Sequence, residues 1–145
     1  MWRVVYEKIY HDITKETVWE VWADVNCWSK WDNDIEYAIL TEPFQTGSKF
    51  ILKPKGAPKV SIQIIDCLPY SRFTDVTSFP FAKMYDSHEL EETPAGLKIK
   101  SQISVKGQLA WLWRKIIAEG VAAGVPSQMD RLVRYVQKNQ IAKPV

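Results

Sequence analysis

The sequence predicts an α+β chain: a seven-stranded, curved antiparallel sheet wrapped around a long, kinked C-terminal helix, with two short helices after the first strand. Three observations predict it. Apolar and polar residues alternate from Ile35 to Lys106, in runs bounded by Gly and Pro turns. Helical spacing takes over from Gln108 to Gln140. Finally, 145 residues, 46% hydrophobic and 25% charged, fit one domain spanning 1–145 with a core that needs no disulfide or metal staple.

The elements follow in order. Trp2 to His11 is rich in Val, Tyr and Ile and reads as a strand. Thr14 suits the N-cap of a helix that begins at Lys15. On that helix Val18, Val21, Trp22 and Val25 share one face, with Trp19 at its edge. Asn26 is expected to cap a second short helix carrying Cys27, Trp28 and Trp31. Turns at Gly47-Ser48, Lys55 to Pro58, Pro69 to Ser71, Pro80 and Pro94 to Gly96 then bound strands near 35–42, 48–55, 59–67, 72–79, 83–92 and 97–106. The last is the clearest: Leu97, Ile99, Ser101, Ile103 and Val105 alternate with Lys98, Lys100, Gln102, Ser104 and Lys106. Two inner sets, Ile35-Tyr37-Ile39 and Ala38-Leu40, fit strand 35–42 equally, and the phase of 72–79 stays open. Short connections make sequential strands antiparallel neighbours.

A sheet with one apolar face needs a cover, and only the C-terminal helix is large enough. Its predicted inward stripe is Leu109, Leu112, Trp113, Ile116, Ile117, Gly120 and Gly124, with Trp111, Arg114, Lys115 and Ala118 turned away. Beyond Pro126 the stripe resumes at Met129, Leu132, Val133 and Val136. Pro126 predicts a kink, with Ser127 and Asp130 capping the second segment. Gly120 and Gly124 imply either close helix–sheet packing or room for a ligand.

Charge excludes several classes. Nineteen Lys+Arg against seventeen Asp+Glu leave +2, with no basic run, so no nucleic-acid partner is expected. Lysines 49, 53, 55, 59, 98, 100 and 106 fall on outer faces or turns. Cys27, Cys67, His11 and His88 make no zinc spacing, and free thiols fit a reducing compartment. No secretory signal and no membrane-length apolar run is visible, so a cytoplasmic location is expected. Nucleotide, nucleophile-elbow and zincin motifs are absent. One inward face offers too few ligands for iron or zinc, so no metal and no cofactor are expected. The aromatic content is 7 Trp, 6 Tyr and 5 Phe, and four Trp fall between positions 19 and 31. Trp19 and Trp22 read as core, while Trp28 and Trp31 fall on the second short helix and the loop after it.

Several strings, in this order, carry a family likeness. They are Thr17-Val18-Trp19, Ala23-Asp24-Val25, Trp28-Ser29-Lys30-Trp31-Asp32, Gly47-Ser48-Lys49-Phe50 and Lys53-Pro54-Lys55-Gly56. Ser87-His88-Glu89-Leu90-Glu91, Leu109-Ala110 and Gly124-Val125-Pro126 follow. Together they resemble the polyketide cyclase/dehydrase-like branch of the START-like (SRPBCC) superfamily over nearly the whole chain. The resemblance implies a helix-grip fold with a cavity for a small hydrophobic molecule such as a lipid, an isoprenoid or an aromatic polyketide. Within that cavity the expected lining is Trp31, Tyr37, Phe50, Leu52, Ile62, Ile64, Phe73, Met84, His88, Leu90, Ile99, Ser101, Ile103, Trp113, Ile117 and Gly120; for most of them plain core is the competing expectation.

His88 is the sharpest polar candidate, because it shares a strand face with Met84 and Leu90 and titrates near neutral pH. Ser101 lies on the adjacent strand. Asp86 would face inward with His88 or sit at the mouth, and Asp75 and Arg72 could act as acid and clamp. Three functions follow: a binding module, a polyketide cyclase, aromatase or dehydratase using His88 as acid/base, and an interaction or regulatory domain built on Trp2 and Trp111. A monomer and a homodimer are both open.

Overall fold

A computed structural model describes residues 2–142. Met1 and 143–145 of the expected domain lie outside the described residues. Seven strands form one antiparallel sheet: β1 (Trp2–Tyr10), β2 (Ile35–Ile39), β3 (Lys49–Pro54), β4 (Val60–Leu68), β5 (Arg72–Phe79), β6 (Ala82–Thr93) and β7 (Gly96–Lys106). Their order across the sheet is β1-β7-β6-β5-β4-β3-β2. Each hairpin joins sequence neighbours, and β1 closes the far edge on β7 with Trp2 opposite Val105 and Tyr10 opposite Leu97.

Helix α1 (Lys15–Ala23) starts as the sequence predicts. The Thr14 hydroxyl accepts from the Thr17 backbone N–H at 3.2 Å, and the Thr17 hydroxyl accepts in return from the Thr14 N–H. A 3₁₀ helix (Val25–Lys30) follows, but Asp24 holds its cap position, not Asn26. Asn26 has a different task. Its amide donates to the Leu40 carbonyl at 3.0 Å and accepts from the Leu40 N–H at 2.9 Å, tying this helix to the end of β2.

Two bulges explain why strand phase was hard to read. One lies between Ile35 and Tyr37 in β2. It puts Ile35 and Ala38 both inside and leaves Ile39 outside, so neither alternating set holds whole. The other lies between Ile64 and Asp66 in β4 and turns Cys67 toward Phe73. On β5 Phe73, Asp75 and Thr77 face inward, and Val76 on the other face is buried as well.

The C-terminal segment is helical from Ala110 to Ala142: α2 (Ala110–Trp113), a π turn (Arg114–Ala118) and α3 (Glu119–Ala142). The irregularity therefore precedes Pro126, which sits inside α3 without breaking it. A π turn closes i→i+5 bonds and holds one more residue than an α turn, so it rotates the face that follows. Ala118, expected outside, is fully buried, while Ile116 is 56% exposed and Gly120 is exposed. A Cβ at Gly120 or Gly124 would meet nothing within 4 Å, so close packing against the sheet is not the reason for either glycine. Asp130 is no cap. It accepts from the Tyr10 hydroxyl at 2.6 Å and the Lys8 ammonium at 3.1 Å, which holds α3 to β1.

The core lies between the inner face of the sheet and the helices. Trp19, Trp22, Phe44 and Phe73 meet edge to face with centroids 5.1–6.3 Å apart, and Trp28 meets Phe50 at 5.3 Å. Val125, Met129, Leu132, Val133 and Val136 cover it from α3. Among the described residues no helix is long and apolar enough to cross a membrane.

Candidate functional site

Where β5 and β6 meet, the inner face carries a buried cluster of ionisable groups. Asp75 stands directly opposite Asp86, and Phe73 opposite His88. Asp86 and His88 are two residues apart, so the pleat points both to the same face. Asp75, Asp86 and His88 each place a ligand atom within 4.8 Å of the other two. The opposing register also sets Ser101 of β7 beside His88.

His88 is held by rings. It stacks on Phe73 at 4.3 Å with 22° between planes, and Trp22 of α1 lies 5.5 Å away. Its Nε2 is 3.2 Å from Asp86 Oδ1. That contact is close enough for an ion pair but is not aligned as a hydrogen bond, and Oδ1 has no hydrogen-bond partner among the described residues. Asp75 is 5% exposed and makes no hydrogen bond or ion pair with a described residue.

These surroundings set the proton affinities. Burial, reinforced by the Asp86 charge, holds the Asp75 carboxyl well above the usual carboxylate range, with His88 opposing. Burial works against charge on His88, but the adjacent Asp86 and then Asp75 outweigh it and raise the imidazole. An acid whose proton affinity is raised by burial and an imidazole whose proton affinity is raised by two carboxylates therefore lie side by side. Such a cluster can accept hydrogen bonds, exchange protons with a bound molecule or offer three donor atoms to a cation.

Among the expected lining residues, Trp31, Phe50, Ile62, Ile64, Phe73, Met84, Leu90, Ile99, Ser101 and Ile103 are buried in the core. Tyr37, Leu52, His88, Trp113 and Ile117 are half-buried. Gly120 is separated from them, on the side of α3 away from Ala118 and Val125, because the π turn moves the stripe. Trp31 packs on Trp28 with its indole N–H buried and without a partner among the described residues. Trp113 stacks on Phe79 at 4.6 Å and donates to the Pro80 carbonyl at 2.9 Å, which seats the start of the C-terminal helix on the β5–β6 turn. Asp75, offered as an acid with its strand phase open, lies on the same inward face as the expected lining residue Phe73. Arg72, offered as a clamp, points the other way and pairs with Asp66 at 2.8 Å.

A cleft of about 230 Å³ lies on the opposite, outer face of the sheet, lined by Ser71, Arg72, Glu89, Leu90, Glu91, Lys98 and Lys100. Its charges are largely paired with each other, as in Lys98–Glu91 at 2.7 Å, and it is open to water. The inner cluster has the burial and the unmet polar atoms that this cleft lacks.

Solved structures share this architecture. Protein jhp0584 from Helicobacter pylori superposes with a TM-score of 0.74 at 16% identity, over 92% of this chain and 87% of that one. CalU16 from Micromonospora echinospora gives 0.66 at 18% identity, over 93% and 74%. Ara h 8.0201 gives 0.68 at 16% identity, over 94% and 99%. The fold is a helix grip. Identities this low speak for fold alone. No family model and no curated protein matches the chain.

Proposed function

We propose that this protein binds a small, largely apolar molecule between the sheet and the C-terminal helix, with the molecule's polar group turned toward Asp75, Asp86 and His88. One observation carries the reading: Asp75, a buried acid without a hydrogen bond, sits in an otherwise apolar interior beside a second acid and an imidazole. Buried polar groups are normally satisfied, and an unsatisfied acid beside an imidazole with raised proton affinity is a mark of functional sites. Likeness to the START-like superfamily in sequence strings and to helix-grip proteins in shape supports the same class. Native mass spectrometry of gently purified protein, with displacement of a fluorescent apolar probe by a lipid and polyketide panel, tests it. Displacement that weakens in Asp75→Asn is the expected result. No bound species and no displacement would end the proposal.

A second reading is acid/base chemistry on a poly-β-ketone, favoured by the His88–Asp86 contact at 3.2 Å. Its test is turnover of a poly-β-ketone thioester. His88→Ala should lower turnover about 100-fold or more, and unchanged turnover would remove His88 from any mechanism.

A further inference from the structure

We propose that Asp75, Asp86 and His88 form a binding site for one first-row divalent cation of the Zn²⁺ or Mn²⁺ type. Sheet register is the first support. Asp75 and Asp86 face each other directly across β5 and β6 on the interior side. Like charges in that position repel, and an apolar interior strengthens the repulsion. A cation between them turns the repulsion into attraction. His88, two residues beyond Asp86, projects from the same face and adds an imidazole nitrogen. The three donor atoms lie within 4.8 Å of one another. Small side-chain rotations would bring them to bonds of about 2.0–2.2 Å around one ion.

Asp75 supplies the second, independent support. It is 5% exposed, has no hydrogen bond or ion pair among the described residues, and its carboxyl lies within 4.8 Å of the other two donors. Asp86 Oδ1 is likewise buried without a hydrogen bond. Two carboxylates, a neutral imidazole and a divalent ion sum to zero charge, so one ion satisfies all three side chains together. The donor set narrows the ion. No thiolate is present for soft ions, and the imidazole favours first-row metals over the all-oxygen preference of Mg²⁺ and Ca²⁺. One inward histidine with one carboxylate would be too poor a set, which is what strand phase alone suggested; Asp75 makes the third ligand.

Three ligands from one wall leave the remaining coordination positions facing the interior, as in sites that bind a further molecule. An oxygen of the bound molecule would fill one. This deepens the ligand reading above, and the metal is measured without it.

The experiment titrates chelator-stripped full-length protein with Zn²⁺ at fixed neutral pH, by calorimetry and by histidine ring NMR. His11 and His88 are the only histidines, and His11 is exposed just after β1. One equivalent should bind, moving the His88 ring signals and leaving His11 unmoved. Mn²⁺ should broaden His88 selectively. Asp75→Asn and His88→Gln should each weaken binding at least about ten-fold, since each removes a ligand, whereas Glu91→Gln at the outer cleft should not. His88 signals unmoved at saturating Zn²⁺, or affinity untouched by Asp75→Asn, would overturn the site. The NMR arm needs no variant, so misfolding of either substitution leaves the test intact. Probe displacement run beside the Zn²⁺ titration separates the two proposals: displacement with no Zn²⁺ binding at His88 removes only the cation, and Zn²⁺ binding with no displacement removes only the apolar ligand.

Discussion

Two aspartates of this protein are almost equally buried and differently served. Asp32, 2% exposed, accepts from Gln128 Nε2 at 2.7 Å, from Arg131 Nη2 at 3.2 Å and from the Asp34 backbone N–H at 3.0 Å. Asp75, 5% exposed, has none of these. Asp32 sits where the loop after the 3₁₀ helix meets α3, and its partners join two parts of the chain nearly a hundred residues apart. Asp75 sits on the gripped face of the sheet, opposite another acid. The difference separates a carboxylate that holds the fold from one the fold must tolerate. Buried charge stabilises only where its partners are in place.

The largest test of that contrast is Asp32→Ala. It removes three hydrogen bonds at once and leaves Arg131 Nη2 only the exposed Asp34 carboxylate at 3.2 Å, so it should cost up to about 3–5 kcal/mol, read from urea or thermal unfolding. A loss below about 1 kcal/mol, the range of an exposed pair, would mean Asp32 is no anchor. Gln128→Ala removes one partner and leaves Asp32 Oδ2 short of a hydrogen bond. It should cost about 1–3 kcal/mol. An effect as large as that of Asp32→Ala would point instead to general damage to α3.

Asp75→Asn should go the other way. Removing an unpartnered buried acid should leave stability unchanged or raise it by about 1 kcal/mol near neutral pH, while probe and Zn²⁺ binding fall. Destabilisation beyond about 1 kcal/mol, the typical worth of one hydrogen bond, would show that Asp75 has a structural partner after all.

The same pair shows what was legible in the sequence. β7 could be read residue by residue, because Leu97 to Val105 alternate cleanly and only one side is wet. His88 followed from β6, where Met84, His88 and Leu90 keep one phase. Asp75 could be named as a candidate acid, but its inward position did not follow. Asp75, Val76 and Thr77 are consecutive and all buried, so β5 carries no alternation to read. Nor did the sequence show the π turn. Its extra residue leaves no mark on composition, and a strict 3.6-residue stripe carried Ile116 and Gly120 inward and Ala118 outward. The Lys8–Asp130 contact was hidden for a simpler reason: Lys8, exposed on edge strand β1, reaches across to α3, which a hydrophobic pattern cannot foresee.

That Lys8–Asp130 contact supplies the third term of the comparison, an acid with good partners and little burial. Hydrogen bonds from Tyr10 and then Lys8 hold the Asp130 carboxyl below the usual carboxylate range. A depressed value in the folded state means stability that is present above the unfolded value and lost as pH falls through the folded one. The window therefore opens below about pH 4. Asp130 is about 41% exposed and Lys8 about 45%, so water screens the pair and the contribution should be only about 0.2–1 kcal/mol. Asp130→Asn should lower stability by that amount at pH 7, with the gap between the two proteins closing as pH drops below 4. Raising salt should shrink it further, because half-exposed pairs are screened. If the gap stays constant down to pH 2, the carboxylate charge is not what ties α3 to β1, and the Tyr10 hydroxyl bond alone does so.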